Sequence, residues 1–112
     1  MLVALMLVST LAAAQDSTPK PLRGDYQIYG GSLGDMQTPT AKDRKIAFML
    51  TGPLAKELFS RIGPDLKDAC GAAPGFRQRQ RGDLSCTSDK DGYRCYVGMD
   101  IVTGKSIEGS IC

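Results

Sequence analysis

The first fourteen residues, read together with the four cysteines, constrain this chain more than any other feature. Residues 1–14 are almost wholly apolar, carry no charged side chain and close with Ala12-Ala13-Ala14 before the chain turns polar. An apolar stretch that ends in small residues is typical of a secretory signal peptide, although no Lys or Arg follows Met1 to supply the usual positive start. A membrane-spanning helix needs about 20 apolar residues, so we expect export with no stable membrane insertion after cleavage.

Export also determines the redox environment of the cysteines. Disulfides persist in the periplasm and in secreted proteins, so a short exported chain with four cysteines is expected to form two of them. We predict a signal peptide at residues 1–14, a flexible leader at 15–24 and a single domain at 25–112. Because a domain this short buries a limited core, covalent cross-links add to its stability. The net charge of +2 argues against nucleic-acid binding, for which a strongly basic domain is expected.

Periodicity in the sequence predicts an α+β fold, with a small antiparallel sheet of four or five strands and one short helix packed on it. Alternating apolar residues indicate strands at 26–33 and 44–51, separated by a loop at 34–43. Pro53 predicts the first turn of a helix. We expect its buried stripe to consist of Leu54, Leu58 and Ile62. We expect Gly63 to end the helix in the left-handed conformation.

The remainder of the domain is predicted as a long connection followed by hairpins. Residues 65–82 contain loop-forming Gly, Ala and Pro, and a disulfide at Cys70 would hold this connection in place. Three strands are expected after it, at 84–87, 93–101 and 106–112. The turns between them are predicted at residues 88–92 and at Thr103-Gly104.

Four cysteines allow three pairings, and strand register offers two neighbours for Cys95. A two-residue turn after the middle strand would place Cys95 opposite Cys112, whereas the preceding hairpin would place it opposite Cys86. We predict Cys95–Cys112 together with Cys70–Cys86, because this pairing restrains both the long connection and the carboxyl terminus. A metal or redox site is not predicted, since the chain has no His and no Cys-x-x-Cys spacing.

Catalytic groups are sparse in this sequence. The absence of His excludes Ser-His-Asp and Cys-His arrangements and removes the commonest general base. A carboxylate pair, Asp35 with Asp100, is the remaining candidate for a small hydrolase, and no spacing motif supports it. Residues 89–92 (DKDG) are interpreted as a hairpin turn rather than a calcium loop, because the position that requires Glu is Gly98. No cofactor is predicted.

Residues 76–81 (FRQRQR) alternate cations with amides, which places Arg77, Arg79 and Arg81 on one side of an extended segment. One interpretation is a solvated edge strand on which positive charge blocks aggregation. The other is a docking surface for an acidic protein partner or an anionic cell-envelope polymer, since Arg forms bidentate contacts with carboxylates and is enriched at interfaces.

Two segments, GPLAKELF at residues 52–59 and YRCYVG at 93–98, carry a resemblance to a class of proteins. Together they resemble small exported, cysteine-containing proteins of Gram-negative bacteria. The resemblance implies a signal peptide, a short strand–helix unit and a cysteine-rich β end. It brings no catalytic residues with it. Periplasmic lysozyme inhibitors and toxin-immunity proteins are similar in size and architecture. Because this sequence has none of their defining inhibitory motifs, the comparison with them is one of architecture alone.

The sequence therefore favours a non-enzymatic binding protein of the periplasm or secreted space, acting as an inhibitor or immunity factor on a cell-envelope or competitor protein. A carboxylate-based hydrolase and a structural envelope component without a discrete ligand are the alternatives.

Overall fold

The computed structural model describes residues 17–71 and 73–112, which fold into one helix packed on an antiparallel sheet. The predicted signal peptide lies outside the described residues. In chain order the elements are β1 (Gly24–Ser32), β2 (Asp35–Gln37), β3 (Lys45–Thr51), α1 (Gly52–Arg61), β4 (Arg77–Arg81), β5 (Leu84–Asp89), β6 (Gly92–Asp100) and β7 (Ser106–Ile107). The strand order is β2-β1-β3-β6-β5-β4, and β7 pairs with β6.

The predicted α+β class is confirmed, but the sheet has more strands than the four or five expected. Strand β2 lies in the predicted loop at 34–43, where its three exposed residues show no apolar alternation. Strand β4 lies within the predicted connection at 65–82 and consists only of Arg and Gln. Both are outer strands of the sheet, and outer strands carry polar residues because one side of each faces solvent.

Helix α1 begins where Pro53 predicts, but it buries a different stripe. Its buried residues are Ala55 and Phe59, and Ile62 is buried just after its last turn. The expected buried positions Leu54 and Leu58 are only half-buried. Ala55 has a small side chain, and its carbonyl oxygen lies 3.4 Å from the Cys95 sulfur, so this side of the helix backbone packs closely on the sheet.

The prediction for the helix terminus was wrong in its detail. Ile62 already has extended backbone angles, φ −98° and ψ 142°, and its N–H donates to the carbonyl of Leu58. The helix therefore ends at Arg61, and Gly63 does not have the left-handed conformation expected of it.

The core lies between α1 and the sheet, and a disulfide occupies its centre. Cys86 of β5 and Cys95 of β6 are direct cross-strand partners, are fully buried and are bonded to each other. The other members of this cluster are Ala55, Phe59 and Ile62, bordered by Leu50, Leu58, Leu84 and Tyr93.

The predicted disulfide pairing was wrong. The bonds are Cys86–Cys95 and Cys70–Cys112, so Cys95 takes the neighbour offered by the β5–β6 hairpin. The turn after β6 explains why Cys112 is not beside Cys95. Asp100 closes that turn with Lys105 through a backbone hydrogen bond of 2.8 Å, which shifts the register by two residues from the expected one.

Strand β7 is also shorter than predicted and ends at Ile107. The residues after it cross the face of the sheet opposite α1. Gly109 lies flat on β6, because a Cβ added there would be only 2.5 Å from the carbonyl carbon of Val97. Cys112 then joins Cys70, whose N–H donates to the side-chain oxygen of Gln78 at 2.8 Å. This disulfide fastens residues 108–112, here called the carboxyl tail, to the connection before β4.

Candidate interaction surfaces

The three arginines predicted as a docking surface lie on β4, an outer strand of the sheet, but they do not act as one set. Arg77 and Arg79 both donate to the carboxylate of Asp65. Arg77 binds it through two nitrogens at 2.7 and 3.1 Å, and Arg79 binds it through Nε at 2.7 Å. These hydrogen bonds, first that of Arg77 and then that of Arg79, lower the pKa of Asp65 to about 2. We call these three residues the Asp65 cluster.

Arg79 also caps the carboxyl end of helix α1. Its Nη1 donates to the carbonyls of Phe59 and Ile62 at 2.8 and 3.1 Å. Its guanidinium lies 4.4 Å from the centre of the Phe59 ring. A cation at a helix carboxyl terminus satisfies carbonyls that have no partner within the helix and interacts favourably with the helix dipole. Arg79 therefore links β4 to α1.

Arg81 differs from the other two arginines. It is exposed, and its side chain makes no hydrogen bond or ion pair with any residue the structure describes. The edge-strand interpretation of this segment matches the structure, since β4 is an outer strand bearing positive charge. Of the three predicted binding residues, Arg81 is the one whose guanidinium has no partner among the described residues.

A second surface, absent from the sequence-based predictions, lies on the same side of the sheet as α1. The core ends at the cross-strand partners Leu50 and Cys95. Residues two and four positions further along these strands point to the same side, because side chains alternate between the two faces of a sheet. They form two cross-strand rows: Tyr26, Phe48 and Val97, and Ile28, Ile46 and Met99. We call these six side chains the apolar face.

The apolar face is substantially open to solvent. Tyr26 is 69% exposed, Ile28 40% and Met99 37%, while the other three side chains are half-buried. The sequence predicted the inward alternation of these residues. It could not show that a ten-residue helix covers only one end of the sheet.

The outer edge of β1 adjoins this face. Strand β2 pairs only with Gly30–Ser32, so Gly24–Tyr29 has a strand partner, β3, on one side and none on the other among the described residues. This stretch contains no Lys, Arg or Pro, whereas the opposite edge of the sheet carries the three arginines of β4. The two edges therefore differ in how they are protected against further strand pairing.

The carboxylate pair considered for hydrolysis is not brought together. Asp35 lies on β2 and Asp100 at the end of β6, which are separated by three strand spacings, about 14 Å between backbones. Each carboxylate has a local role. Asp35 accepts from the Gln37 side chain, and Asp100 accepts from the N–H groups of Val102 and Thr103.

A cluster of titratable groups near β1 is also explained by local structure. Lys45 donates to the carboxylate of Asp43 and to the carbonyl of Gly31, which fastens the loop between β2 and β3 to β1. The hydrogen bond from Lys45 lowers the pKa of Asp43 and raises that of Lys45 itself. Burial raises the pKa of neighbouring Tyr29. A general base needs a pKa near the working pH, and both the Lys and the Tyr are shifted away from it.

Residues 89–92 form the predicted hairpin turn. Asp89 pairs with Gly92, and the Asp89 carboxylate accepts from the N–H of Asp91 at 2.8 Å. Within residues 17–71 and 73–112 no group of three or more metal-ligating side chains is assembled.

One cleft, of about 270 Å³, lies on the face opposite α1, beside the carboxyl tail, and is lined partly by Met36, Met49 and Tyr96. A larger cleft, of about 590 Å³, lies beside the start of α1 and is lined partly by Lys56 and Arg94. In the part of the chain that the structure describes, no helix is long and apolar enough to cross a membrane. No protein-family model, curated protein or solved structure matches this chain.

Proposed function

We propose that this chain is an exported, non-enzymatic binding protein that docks on a partner protein through its apolar face. The observation that carries the proposal is the pair of open cross-strand rows, in which six apolar side chains lie together on one side of the sheet. Contiguous exposed apolar surface is uncommon on monomeric proteins and marks sites of interaction. A structural component without a ligand would not need such a surface.

The composition of the apolar face supports a protein partner. Tyr, Phe and Met are enriched at the centres of protein interfaces, where Tyr26, Phe48 and Met99 would lie. The face is built on paired strands, so little backbone order has to be gained on binding. A rigid scaffold that presents a preformed surface suits an inhibitor or immunity factor acting on a cell-envelope or competitor protein.

The arginines have a secondary place in this proposal. The Asp65 carboxylate already offsets part of the charge of Arg77 and Arg79. Arg81 is the arginine of β4 that we expect to contribute to an acidic partner, and as an exposed charge it would affect the association rate more than the affinity.

Export is supported by the two disulfides, which persist outside the cytosol, and by the apolar segment at residues 1–14. The intact mass of the native exported protein tests this part directly. We expect loss of residues 1–14 and a deficit of four hydrogens. Free thiols in that material would contradict it.

The binding proposal is tested by capture from an envelope extract with the purified mature chain and its Met99→Glu variant. Met99 is partly exposed and lies at the far end of the apolar face from helix α1, so a charge there should abolish capture while the fold persists. The matched control is Val102→Glu, which adds the same charge at an exposed apolar residue outside the face.

Capture that is lost with Met99→Glu and kept with Val102→Glu is the expected result. Equal capture by both variants would remove the apolar face from the proposal. An Arg81→Ala variant reports separately on the arginine: an association rate at low salt equal to that of the parent chain would exclude Arg81 from the binding surface.

A further inference from the structure

We propose that two copies of this chain pair through the free edge of β1, antiparallel and centred on Tyr26, to form one continuous sheet. The proposal goes beyond the proposed function, because the occupant of this edge is a second copy rather than a foreign partner. It depends on three features of β1: the direction of its backbone groups, the charges along it, and the contrast with β4.

The backbone of β1 offers hydrogen-bonding groups at its free edge. Ile101 donates its N–H to the carbonyl of Arg44, so the backbone groups of Arg44 face β6. Backbone direction alternates along a strand, so Lys45, Ala47 and Met49 face the other way, toward β1. Their partners in β1 are Tyr29, Gln27 and Asp25, and the backbone N–H and C=O groups of these residues pair with β3.

The alternate residues Gly24, Tyr26 and Ile28 therefore direct their N–H and C=O groups outward. No described strand accepts them, since β2 begins its pairing at Gly30. An unpaired row of this kind is a template for another strand.

The sequence of this edge is complementary to itself in one register. With Tyr26 opposite Tyr26 of the second copy, Gly24 faces Ile28, and all the outward residues exchange hydrogen bonds in pairs. Asp25 then faces Gln27, whose amide can donate to the carboxylate. Moving the register by two residues toward the amino terminus places Asp25 opposite Asp25, and like charges directly opposite each other are destabilising. Moving it the other way leaves Gly24 without a partner.

Side chains favour the same arrangement. The two Tyr26 rings become direct cross-strand neighbours, a pairing that stabilises sheets. The two apolar faces then lie on the same side of the joined sheet and meet at the shared edge. The opposite edge of the sheet, on β4, cannot substitute for the β1 edge, because three arginines on each copy would oppose one another.

The test uses the position of Tyr26 on the symmetry axis. Tyr26→Lys and Tyr26→Asp each place like charges opposite each other in the dimer, and Tyr26 is exposed enough for both variants to fold. Mixing equal amounts of the two variants places Lys opposite Asp. The measurement is mass by sedimentation equilibrium, with circular dichroism as the check on folding and Val102→Lys as the matched control.

We expect a dimer for the mature chain and for Val102→Lys, monomers for each Tyr26 variant alone, and recovery of the dimer in the mixture. A mature chain that stays monomeric at all concentrations would overturn the proposal, as would a dimer that both Tyr26 variants leave intact. Failure here is separable from failure of the proposed function, because Met99→Glu leaves the β1 edge unchanged and should remain dimeric whether or not it captures a partner.

Discussion

At the scale of single residues, Arg79 does more than any other described side chain to join separate parts of the fold. One guanidinium contacts the last turn of α1, the ring of Phe59 and the carboxylate of Asp65. Hydrogen bonds that involve a charged group contribute about 1.5–3 kcal/mol each when partly shielded from solvent, and stacking on an aromatic ring adds about 0.5–1 kcal/mol. Arg79 is partly buried, so both effects apply to it.

We therefore expect Arg79→Ala to lower the free energy of unfolding by about 2–4 kcal/mol, because helix carbonyls and Asp65 lose their donor. Arg79→Lys should recover only part of this loss, since an ammonium lacks the planar fork that reaches several acceptors. Urea denaturation provides the measurement. Arg81→Ala is the matched control on the same strand and should change stability by less than about 0.5 kcal/mol. Equal losses for Arg79→Ala and Arg81→Ala would show that Arg79 has no special role.

The same residue shows what sequence can reveal about a candidate site. The alternation of residues 76–81 indicated that the three arginines lie on one side if this segment is extended, and in the structure it is strand β4. It could not reveal that Asp65 and the end of α1 lie beneath two of them, because these contacts join positions more than ten residues apart. The alternation of residues in a strand determines which side of the sheet a side chain lies on, but it does not determine which residues that side chain contacts in the folded protein.

At the scale of elements, predictions succeeded where short-range chemistry decides the outcome. Pro53 indicated the start of α1, and the Asp-Gly pair at 91–92 indicated the hairpin that brings Cys86 opposite Cys95. The second turn was mispredicted because Thr103-Gly104 is only part of it. The carboxylate of Asp100 accepts from Val102 and Thr103, which widens the turn and displaces Cys112 from β6.

The two disulfides consequently have different surroundings. Cys86–Cys95 is fully buried beneath α1, whereas Cys70 and Cys112 are exposed. In the chain-entropy description, closing a loop with a separation of 42 residues stabilises by about 4 kcal/mol, and one of 9 residues by about 2.5 kcal/mol. The exposed bond therefore contributes the larger share and is the easier one to reach.

We expect mild dithiothreitol to open Cys70–Cys112 first, because thiolate attack requires access to the sulfur. Alkylation followed by peptide mass spectrometry should label Cys70 and Cys112 before Cys86 and Cys95. Hydrogen exchange should then increase in the carboxyl tail while the β5–β6 hairpin stays protected. Simultaneous labelling of all four cysteines would mean that the tail and the core unfold as one unit.

At the scale of the whole molecule, the sheet is larger than the helix that covers it. Alternating apolar residues in β1, β3 and β6 predicted a buried side for each strand, and that prediction holds only where α1 lies above them. How far a helix extends over a sheet depends on where the chain enters and leaves it, and here it ends after ten residues. The apolar face and the free β1 edge both result from this incomplete coverage.

Acid should weaken the whole fold through the Asp65 cluster. The folded pKa of Asp65 is about 2, whereas an unfolded Asp has a pKa of about 3.9. As the pH falls, the unfolded state therefore binds a proton at Asp65 before the folded state does. The stability that Asp65 contributes is fully present above about pH 5 and is lost progressively toward pH 2. Asp43, whose pKa Lys45 also lowers, adds to the loss in the same direction.

Asp65→Asn should therefore be less stable than the parent chain at pH 7, and its urea midpoint should fall less between pH 5 and pH 2. The pH dependence of the urea midpoint that remains in this variant is due in part to Asp43. Asp68→Asn is the control, because Asp68 is exposed and has no hydrogen bond or ion pair with any described residue. Parallel pH profiles for the parent chain and for Asp65→Asn would mean that the contacts of Arg77 and Arg79 with the Asp65 carboxylate do not persist in solution. The link between β4 and α1 would then depend on the helix carbonyls and the Phe59 ring alone.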